Sequence, residues 1–307
     1  MIRMDMYETE EHIYLSIGSY RIYIQNKSYA QGYRLPENAY DFLERERSCL
    51  TKVNFIFIIQ LDEELEGELK QSDHISLKEF NFGPNQYQID QLSDHDLQWI
   101  RKDTKGNTKI SFRIQQEWNQ WKLICDHSHR LGKESFTELG YIFAYSVLNY
   151  GGVMFHGVVL EWEGKGIIFC AHSGVGKTTH TRMWKEQENA LILNGDRALC
   201  YKEGNQWYTC GAPWCGSSED CVQKSIELRA FVILEQAQEN IASVLSPLQG
   251  ALELIPLVFA PTWDKKLMSF ALDTIDDMVQ KIPCFKLRCK PEPEAVRMLK
   301  FEIERFI

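Results

Sequence analysis

The sequence predicts an α/β protein of the mixed α+β kind, with a mixed sheet flanked by helices in its C-terminal part and a smaller β-rich N-terminal part. Before residue 130, apolar and polar residues alternate along several short segments, as in half-buried strands. Beyond it, apolar runs of strand length are separated by helical segments. Two connections there, over residues 156–171 and 197–209, read as hairpins, so the sheet is expected to be mixed. We expect two domains, residues 1–130 and 131–307.

In the first part, strands are expected where β-branched and aromatic residues alternate with polar ones or form a short apolar run. These segments are residues 13–20, 20–24, 55–59, 109–114 and 121–125, with a short helical turn at 38–43. The part as a whole is interpreted as β-rich with polar loops. No motif in this part indicates a particular chemistry.

The second part begins with a helix over residues 134–149, predicted from apolar residues at helical spacing and ended by Gly151 and Gly152. Strands are expected at residues 153–160, 167–171, 190–193, 197–201, 206–209, 228–235 and 285–288. Further helices are expected at residues 177–186, 248–259, 263–281 and 292–306.

The charge balance limits the classes of partner. The chain has 307 residues, a formal net charge of −9 and a pI of about 5.5, which argues against a nucleic-acid-binding face. The sequence contains no run of about 18 apolar residues, so no membrane span is expected. Its N-terminus lacks the apolar core of a signal peptide. We therefore expect a cytoplasmic protein.

Cysteines and histidines offer two weak metal-site candidates. The nine cysteines are an odd number in apolar and turn contexts, which favours reduced thiols. Cys210, Cys215 and Cys221 lie closest together, but they are spaced too widely for a CxxC knuckle, so ordinary thiols are the preferred interpretation. His127 and His129 fall on one side of an extended segment, yet no third ligand is identifiable.

The strongest chemical signal follows the strand expected at 167–171 and reads Ala171, His172, Ser173, Gly174, Val175, Gly176, Lys177, Thr178 and Thr179. It matches the phosphate-binding pattern G-x-x-x-x-G-K-[ST], with alanine in place of the first glycine. Gly174 and Gly176 allow the backbone to form a nest of N–H groups, and the following helix points its positive end at the same anion. Lys177 adds a charge on the β and γ phosphates, and Thr178 offers a hydroxyl to Mg²⁺. We predict that residues 173–179 bind ATP with Mg²⁺.

Three further residues are candidates for the same site. Asp196 ends the next strand and is the predicted carboxylate for Mg²⁺, directly or through water, although it could instead be a turn aspartate that opens a hairpin. Arg197 is a candidate phosphate clamp, and the alternative is a side chain that faces solvent. His156 lies on the preceding strand, where a lone histidine is more often a core residue than a catalyst. The Gly- and Pro-containing segment 211–218 either covers a ligand or is a rigid structural loop.

Several of these features together resemble the catalytic domain of HPr kinase/phosphorylase. They are residues 155–157, the glycine motif, Trp184 and residues 193–197. They are more similar still to peptide-modifying relatives of that enzyme, which include the lasso-peptide precursor kinases. The resemblance covers roughly residues 150–290. It implies a core shared with phosphoenolpyruvate carboxykinase, and a role for His156 in supporting an acidic base that acts on the acceptor hydroxyl.

The chain departs from that family at one position. The resemblance implies two adjacent aspartates after the glycine-motif helix, of which Asp196 matches the second, whereas Gly195 stands at the first. The base is therefore left open: Asp196 serves both roles, His156 acts itself, or the chain is a weak or altered kinase. The segment that HPr kinases use to bind their protein substrate is not recognisable, so HPr is not expected to be the acceptor.

The sequence thus predicts a phosphotransferase that uses ATP and Mg²⁺ and acts on a hydroxyl, either of a small molecule or of a serine in a peptide precursor. His156, Lys177, Asp196 and Arg197 are the predicted catalytic residues. A nucleotide-binding accessory module with little turnover is the alternative, and the missing aspartate supports it. A carboxykinase acting on a small acid is disfavoured by the short chain and the lack of an arginine cluster. The oligomeric state does not follow from the sequence.

Overall fold

The structure is a computed structural model that describes residues 12–27, 35–44, 53–61, 73–125, 132–216, 218 and 220–306. It divides into two compact units, the first comprising residues 1–16 and 20–140 and the second residues 17–19 and 141–307. The division falls inside helix α2 (Gly132–Ser146). The sequence prediction places the boundary earlier, between residues 130 and 131.

The first unit is built on an eight-stranded mixed sheet. Its elements are β1 (His12–Ile17), β2 (Tyr20–Asn26), α1 (Glu37–Tyr40), β3 (Phe55–Leu61), β4 (His74–Phe82), β5 (Asn85–Leu92), β6 (Leu97–Lys102), β7 (Thr108–Ile114) and β8 (Gln120–Cys125). The strand order is β1-β2-β3-β8-β7-β6-β5-β4. Strand β3 runs parallel to both β2 and β8, whereas β4 to β8 form an antiparallel meander.

The strands β4, β5 and β6, over residues 74–102, are not among the predicted ones, although this part is predicted to be β-rich. Strand β4 carries no buried side chain, so its sequence lacks the alternation that identifies a half-buried strand. Strand β5 alternates only weakly, with Tyr87 and Ile89 buried among glutamines and an aspartate. Trp99 of β6 packs edge-on against Tyr87 at 6.1 Å between ring centroids. Contacts between strands, rather than local composition, form this part of the sheet.

The second unit combines a mixed sheet with helices, as the sequence predicts. Its strands are β9 (Val153–Trp162), β10 (Lys165–Cys170), β11 (Leu191–Asn194), β12 (Arg197–Glu203), β13 (Gln206–Cys210), β14 (Ser225–Gln236), β15 (Ile241–Leu245) and β16 (Cys284–Cys289). Its helices after α2 are α3 (Lys177–Glu188), α4 (Pro247–Leu254), α5 (Lys265–Val279) and α6 (Pro293–Glu304), with 3-10 turns at Val147–Tyr150 and Ile255–Leu257.

Strand β10 lies between β9 and β14 in this unit. The β9–β10 and β12–β13 connections are antiparallel hairpins, which confirms the two predicted ones. Strand β14 runs parallel to both β10 and β16. Strand β11 pairs with β9 in the antiparallel direction. The carboxyl ends of three parallel strands therefore meet at one edge of the sheet, where ligand sites of α/β proteins commonly form.

Helix α3 is fixed over the sheet by aromatic packing. Trp184 is fully buried, with its ring 5.3 Å from that of Trp162 and 6.0 Å from that of Phe169. Helix α6 completes this core with four buried residues at helical spacing, Ala295, Val296, Leu299 and Ile303. This packing directs the N-terminus of α3 toward the end of β10.

Two elements differ from the predicted ones for physical reasons. Strand β15 was not predicted, because it is an edge strand whose Ile241 and Val244 are exposed and lack a buried face to set a pattern. Helix α4 ends at Leu254, short of the predicted residue 259, because Pro256 lacks the N–H that would continue an α-helix.

Among the described residues, no helix has the length and apolar character needed to cross a membrane.

Candidate functional site

The site begins at the loop between β10 and α3, residues 171–176, which we call the glycine loop. Gly174 and Gly176 have φ angles of +82° and +107°, a region that side-chain-bearing residues rarely adopt. A Cβ at either position would meet nothing within 4 Å, so the backbone conformation, and not lack of space, requires glycine. No side chain caps α3 at Gly176, which leaves N–H groups of its first turn to bind an anion.

Lys177, the first residue of α3, is 8% exposed and turns back over the glycine loop. Its Nζ donates to the carbonyl oxygens of Ala171 at 2.7 Å and His172 at 3.3 Å. The same Nζ lies 2.9 Å from Nε2 of His156. Burial lowers the pKa of Lys177, and the negative charge of Asp196 partly opposes that shift.

Strand pairing brings His156 and Asp196 together. In the antiparallel pair β9–β12, Arg197 is the partner of His156, and the N–H of Gly157 donates to the carbonyl oxygen of Asp196 at 2.9 Å. As a result, Nδ1 of His156 lies 3.3 Å from Oδ1 of Asp196. The ammonium of Lys177, the imidazole of His156 and the carboxylate of Asp196 therefore form a continuous polar row.

Asp196 is held in its ionised form. Burial by itself raises the pKa of this carboxyl group, but hydrogen bonding and charge from His156, together with the charges of Arg197 and Lys177, outweigh burial, and the pKa is lowered overall. The site therefore presents a carboxylate at neutral pH.

Asn194 positions this carboxylate and was not among the predicted site residues. It is fully buried, and its Oδ1 accepts from the backbone N–H groups of Asp196 at 2.9 Å and Arg197 at 2.8 Å. Its Nδ2 donates to the carbonyl oxygens of Ala212 at 2.8 Å and Trp214 at 3.3 Å. The Asn-Gly-Asp sequence was the available signal, because asparagine commonly bonds backbone N–H groups two and three residues ahead in a turn.

Gly216 and Ser218 pack onto this turn. A Cβ built on Gly195 would lie 1.7 Å from Oγ of Ser218, and one built on Gly216 would lie 2.9 Å from Cγ of Asp196. Oγ of Ser218 donates to the carbonyl oxygen of Cys215 at 2.8 Å. Ser218 thus fills the space in which a side chain at position 195 would begin.

The expectation of ordinary thiols in this segment is wrong for two residues, because Cys215 and Cys221 form a disulfide. The β-bridge between Asn194 and Cys221 and the left-handed turn at Gly216 bring the two Cα atoms to 5.8 Å, within bonding range. Cys210 is a buried free thiol, and the other described free cysteines, Cys170, Cys200, Cys284 and Cys289, are buried as well.

Arg197 does not face solvent, so that alternative is wrong. The residue is 5% exposed, and its guanidinium carbon lies 4.2 Å from the ring centroid of Tyr141 and 5.5 Å from that of Phe259. Its Nε is 3.8 Å from Oδ2 of Asp196. In this position the positive charge of Arg197 stabilises the ionised carboxylate of Asp196. Within the described part of the chain, no group accepts a hydrogen bond from Nη1 of Arg197.

The other predicted ligand groups lie at the surface around the glycine loop. Ser173, Thr178 and Thr179 are exposed, and Val175 is half-buried. Within the residues that the structure describes, no three histidine, cysteine or acidic side chains are placed to hold a metal ion. One carboxylate and one hydroxyl nevertheless suit Mg²⁺, which keeps several waters and takes its other ligands from phosphates. The predicted histidine pair at 127 and 129 lies outside the described residues.

No curated protein matches the sequence. Among solved structures, the Hpr(Ser) kinase/phosphatase from Coxiella burnetii is similar with a TM-score of 0.31 and 8% identity, over 50% of this chain and 96% of that one. A likeness that weak indicates neither activity nor substrate. The family described as SynChlorMet cassette protein ScmC matches residues 123–293, more than half of the chain and the whole of the site described above. The chain therefore belongs to the ScmC family.

Proposed function

We propose that this protein is a kinase that transfers the terminal phosphoryl group of ATP, with Mg²⁺, to a hydroxyl group. The observation that carries the proposal is the row formed by Lys177, His156 and Asp196 at the mouth of the glycine loop. Nζ of Lys177 lies 2.9 Å from Nε2 of His156, and Nδ1 of His156 lies 3.3 Å from Oδ1 of Asp196. The row stands beside a helix N-terminus and the two left-handed glycines of the loop. This combination suits phosphoryl transfer, whose catalysis rests on positioning and charge neutralisation.

In this proposal the glycine loop and the first turn of α3 bind the phosphates through backbone N–H groups. Lys177 exchanges its bonds to the loop carbonyls for bonds to phosphate oxygens, which are stronger acceptors because they are charged. Thr178 and Asp196 would hold Mg²⁺, which when bound supplies neutralisation of the charge on the β and γ phosphates.

The acceptor is activated by a carboxylate. As the acceptor oxygen attacks the γ-phosphorus, its proton passes to Asp196, a new O–P bond forms, and the bond between phosphorus and the β,γ-bridging oxygen breaks to leave ADP. His156 positions Asp196 by facing its Oδ1, and Arg197 stabilises the ionised form from the side of Oδ2. A serine of a peptide precursor and a small hydroxyl-bearing molecule are the candidate acceptors.

The test is phosphoryl transfer detected by intact mass with ATP and Mg²⁺. Free serine and precursor peptides encoded near the gene serve as acceptors, and nucleotide affinity is measured in parallel by calorimetry. Lys177→Ala should lose both nucleotide binding and transfer. Lys185→Ala, which removes a lysine from the last turn of the same helix, is the matched control and should keep both. Failure of the wild-type chain to bind ATP would refute the proposal.

A second candidate, a nucleotide-binding accessory module with little turnover, is favoured by one observation. Ser218 occupies the space next to Gly195, where the resemblance implies an aspartate. The substitution Asp196→Asn, compared with the wild-type chain, distinguishes a kinase from an accessory module. A kinase loses transfer while its affinity for ATP remains measurable, whereas an accessory module binds ATP tightly and transfers nothing even as the wild-type chain.

A further inference from the structure

Within the residues that the structure describes, two clefts open from the glycine loop. The larger, of about 970 Å³, is lined on the loop side by Gly176, Thr179 and His180, and on the sheet side by residues that include Ile241, Arg288 and Lys290. The smaller, of about 410 Å³, is lined by residues 171–175 and by the end of α4. We call the first the β15–β16 cleft, and its volume falls in the range of sites for small-molecule ligands.

The position of Lys177 gives the direction of a bound phosphate chain. Nζ of Lys177 is held at the start of the glycine loop, near the carbonyl oxygens of Ala171 and His172 and beside His156. In loops of this type the lysine reaches the β and γ phosphates, and the backbone N–H groups hold the α and β phosphates. The terminal phosphate therefore lies toward Ala171, and the α-phosphate toward Gly176 and Thr179. Any group attached to the α-phosphate is then directed into the β15–β16 cleft.

The walls of this cleft match a nucleoside in chemical character. Val175, Leu234 and Ile241 supply apolar surface on which a base can lie. Arg288 and Lys290 line the same cleft together with Glu235 and Glu239, and the two cations are the groups that an α-phosphate would approach. Arg288 is half exposed and pairs with Glu235 at 3.1 Å, so part of its donor capacity remains open to a ligand.

A buried histidine supplies a hydrogen-bond donor in the cleft wall. Nε2 of His180 accepts from Nε1 of Trp184 at 3.3 Å, so the proton of the neutral ring is on Nδ1. His180 is 2% exposed, and among the described residues its Nδ1 meets no hydrogen-bond partner. Burial lowers the pKa of His180 to about 4, so the ring is neutral and Nδ1 remains a donor at neutral pH. A nitrogen or oxygen acceptor of a nucleoside, reached by a small shift of the ring, would satisfy it.

We propose that the nucleoside of the phosphoryl donor binds in the β15–β16 cleft, so that the donor is a nucleoside triphosphate and not an inorganic polyphosphate. This inference rests on the proposed function of the glycine loop. It adds the location of the nucleoside and names Ile241, His180 and Arg288 as residues that distinguish the two classes of donor.

The test compares two ligands, each with Mg²⁺, by calorimetry: ATP and inorganic tripolyphosphate, which carries the phosphates without the nucleoside. Ile241→Trp adds bulk to the cleft from an exposed position on β15. Val244→Trp makes a comparable change on the opposite face of the same strand, outside the cleft lining, and is the matched control. Both positions are exposed, Ile241 at 43% and Val244 at 37%.

Wild-type protein should bind ATP at least about tenfold more tightly than tripolyphosphate. Ile241→Trp should weaken ATP binding by about tenfold or more and leave tripolyphosphate binding within about twofold. Val244→Trp should change neither. Equal wild-type affinities for the two ligands, or unchanged ATP binding by Ile241→Trp, would overturn the assignment of the cleft while leaving the phosphate site intact. If the wild-type chain binds neither ligand, the proposed function fails, and this inference fails with it.

Discussion

The substitution Gly195→Ala adds one methyl group and tests how tightly Ser218 packs against position 195. This is the position at which the family resemblance implies the first of two adjacent aspartates. The Cβ of Gly195→Ala would lie 1.7 Å from Oγ and 2.5 Å from Cβ of Ser218. Real contacts of a Cβ atom essentially never fall under 3.0 Å, so Ser218 must move by more than about 1 Å. The backbone at Gly195 does not have a left-handed φ, so the clash, and not backbone strain, should dominate the effect.

The size of the effect follows from two contributions. Moving Ser218 breaks its hydrogen bond to the carbonyl oxygen of Cys215, at a cost of roughly 0.5–1.5 kcal/mol. Overpacking in a well-filled site costs roughly 1–3 kcal/mol more. Gly195→Ala should therefore lower the free energy of unfolding by about 1.5–4.5 kcal/mol. Gly195→Asp, which would restore the aspartate that the resemblance implies, should be at least as destabilising and should not raise activity.

Urea denaturation of a double-mutant cycle isolates the clash. Ser218→Ala removes the atom at 1.7 Å but leaves the Cβ at 2.5 Å, so it should relieve the cost only in part. After Ser218→Gly, the next atom that the Cβ would meet is the carbonyl oxygen of Cys215 at 3.5 Å, which is an ordinary contact. In that background Gly195→Ala should be neutral or slightly stabilising, because alanine restricts the unfolded chain. The coupling energy between the two positions should then equal the cost of Gly195→Ala in the wild-type protein, about 1.5–4.5 kcal/mol.

Either of two results would refute this reasoning. Gly195→Ala could prove as stable as the wild-type protein, in which case the space beside residue 195 is open. Alternatively, it could be equally destabilising with and without Ser218, in which case the cost arises elsewhere in the turn.

Two further predictions concern the same site. The lowered pKa of Asp196 contributes stability that is present above the ordinary carboxyl value of about 3.9 and is lost as pH falls through the lower folded value. His156→Ala should raise that folded value and move the midpoint of acid unfolding, followed by fluorescence, to higher pH; an equal shift in an Asp196→Asn background would show that another group is responsible. The double substitution Cys215→Ser with Cys221→Ser should lower the free energy of unfolding by about 2 kcal/mol, the chain-entropy value for so short a loop. The wild-type protein in a reducing agent should match that variant in urea denaturation, and no loss in either sample would contradict a stabilising disulfide.

The strand, glycine loop and helix over residues 165–188 could be predicted because their signals are local. Gly174 and Gly176 permit the left-handed backbone of the loop, and an apolar run precedes a segment that ends in a left-handed residue, Asn189. Strands β4 and β15 could not be predicted in the same way. Both are edge strands with exposed side chains, and their identity depends on pairing with β5 and β16.

For the candidate site, the sequence determined which residues have suitable chemistry, since Lys177, Asp196 and His156 follow from a local motif and a family resemblance. Only the tertiary structure decided how they meet. The pairing of β9 with β12 places His156 beside Asp196, although 40 positions separate them in the sequence. The same holds for Asn194, for the aromatic surroundings of Arg197, and for Ser218 over Gly195. The physical reason is that backbone conformation depends on near neighbours, whereas the packing and charge that set a side chain's role come from residues distant in the chain.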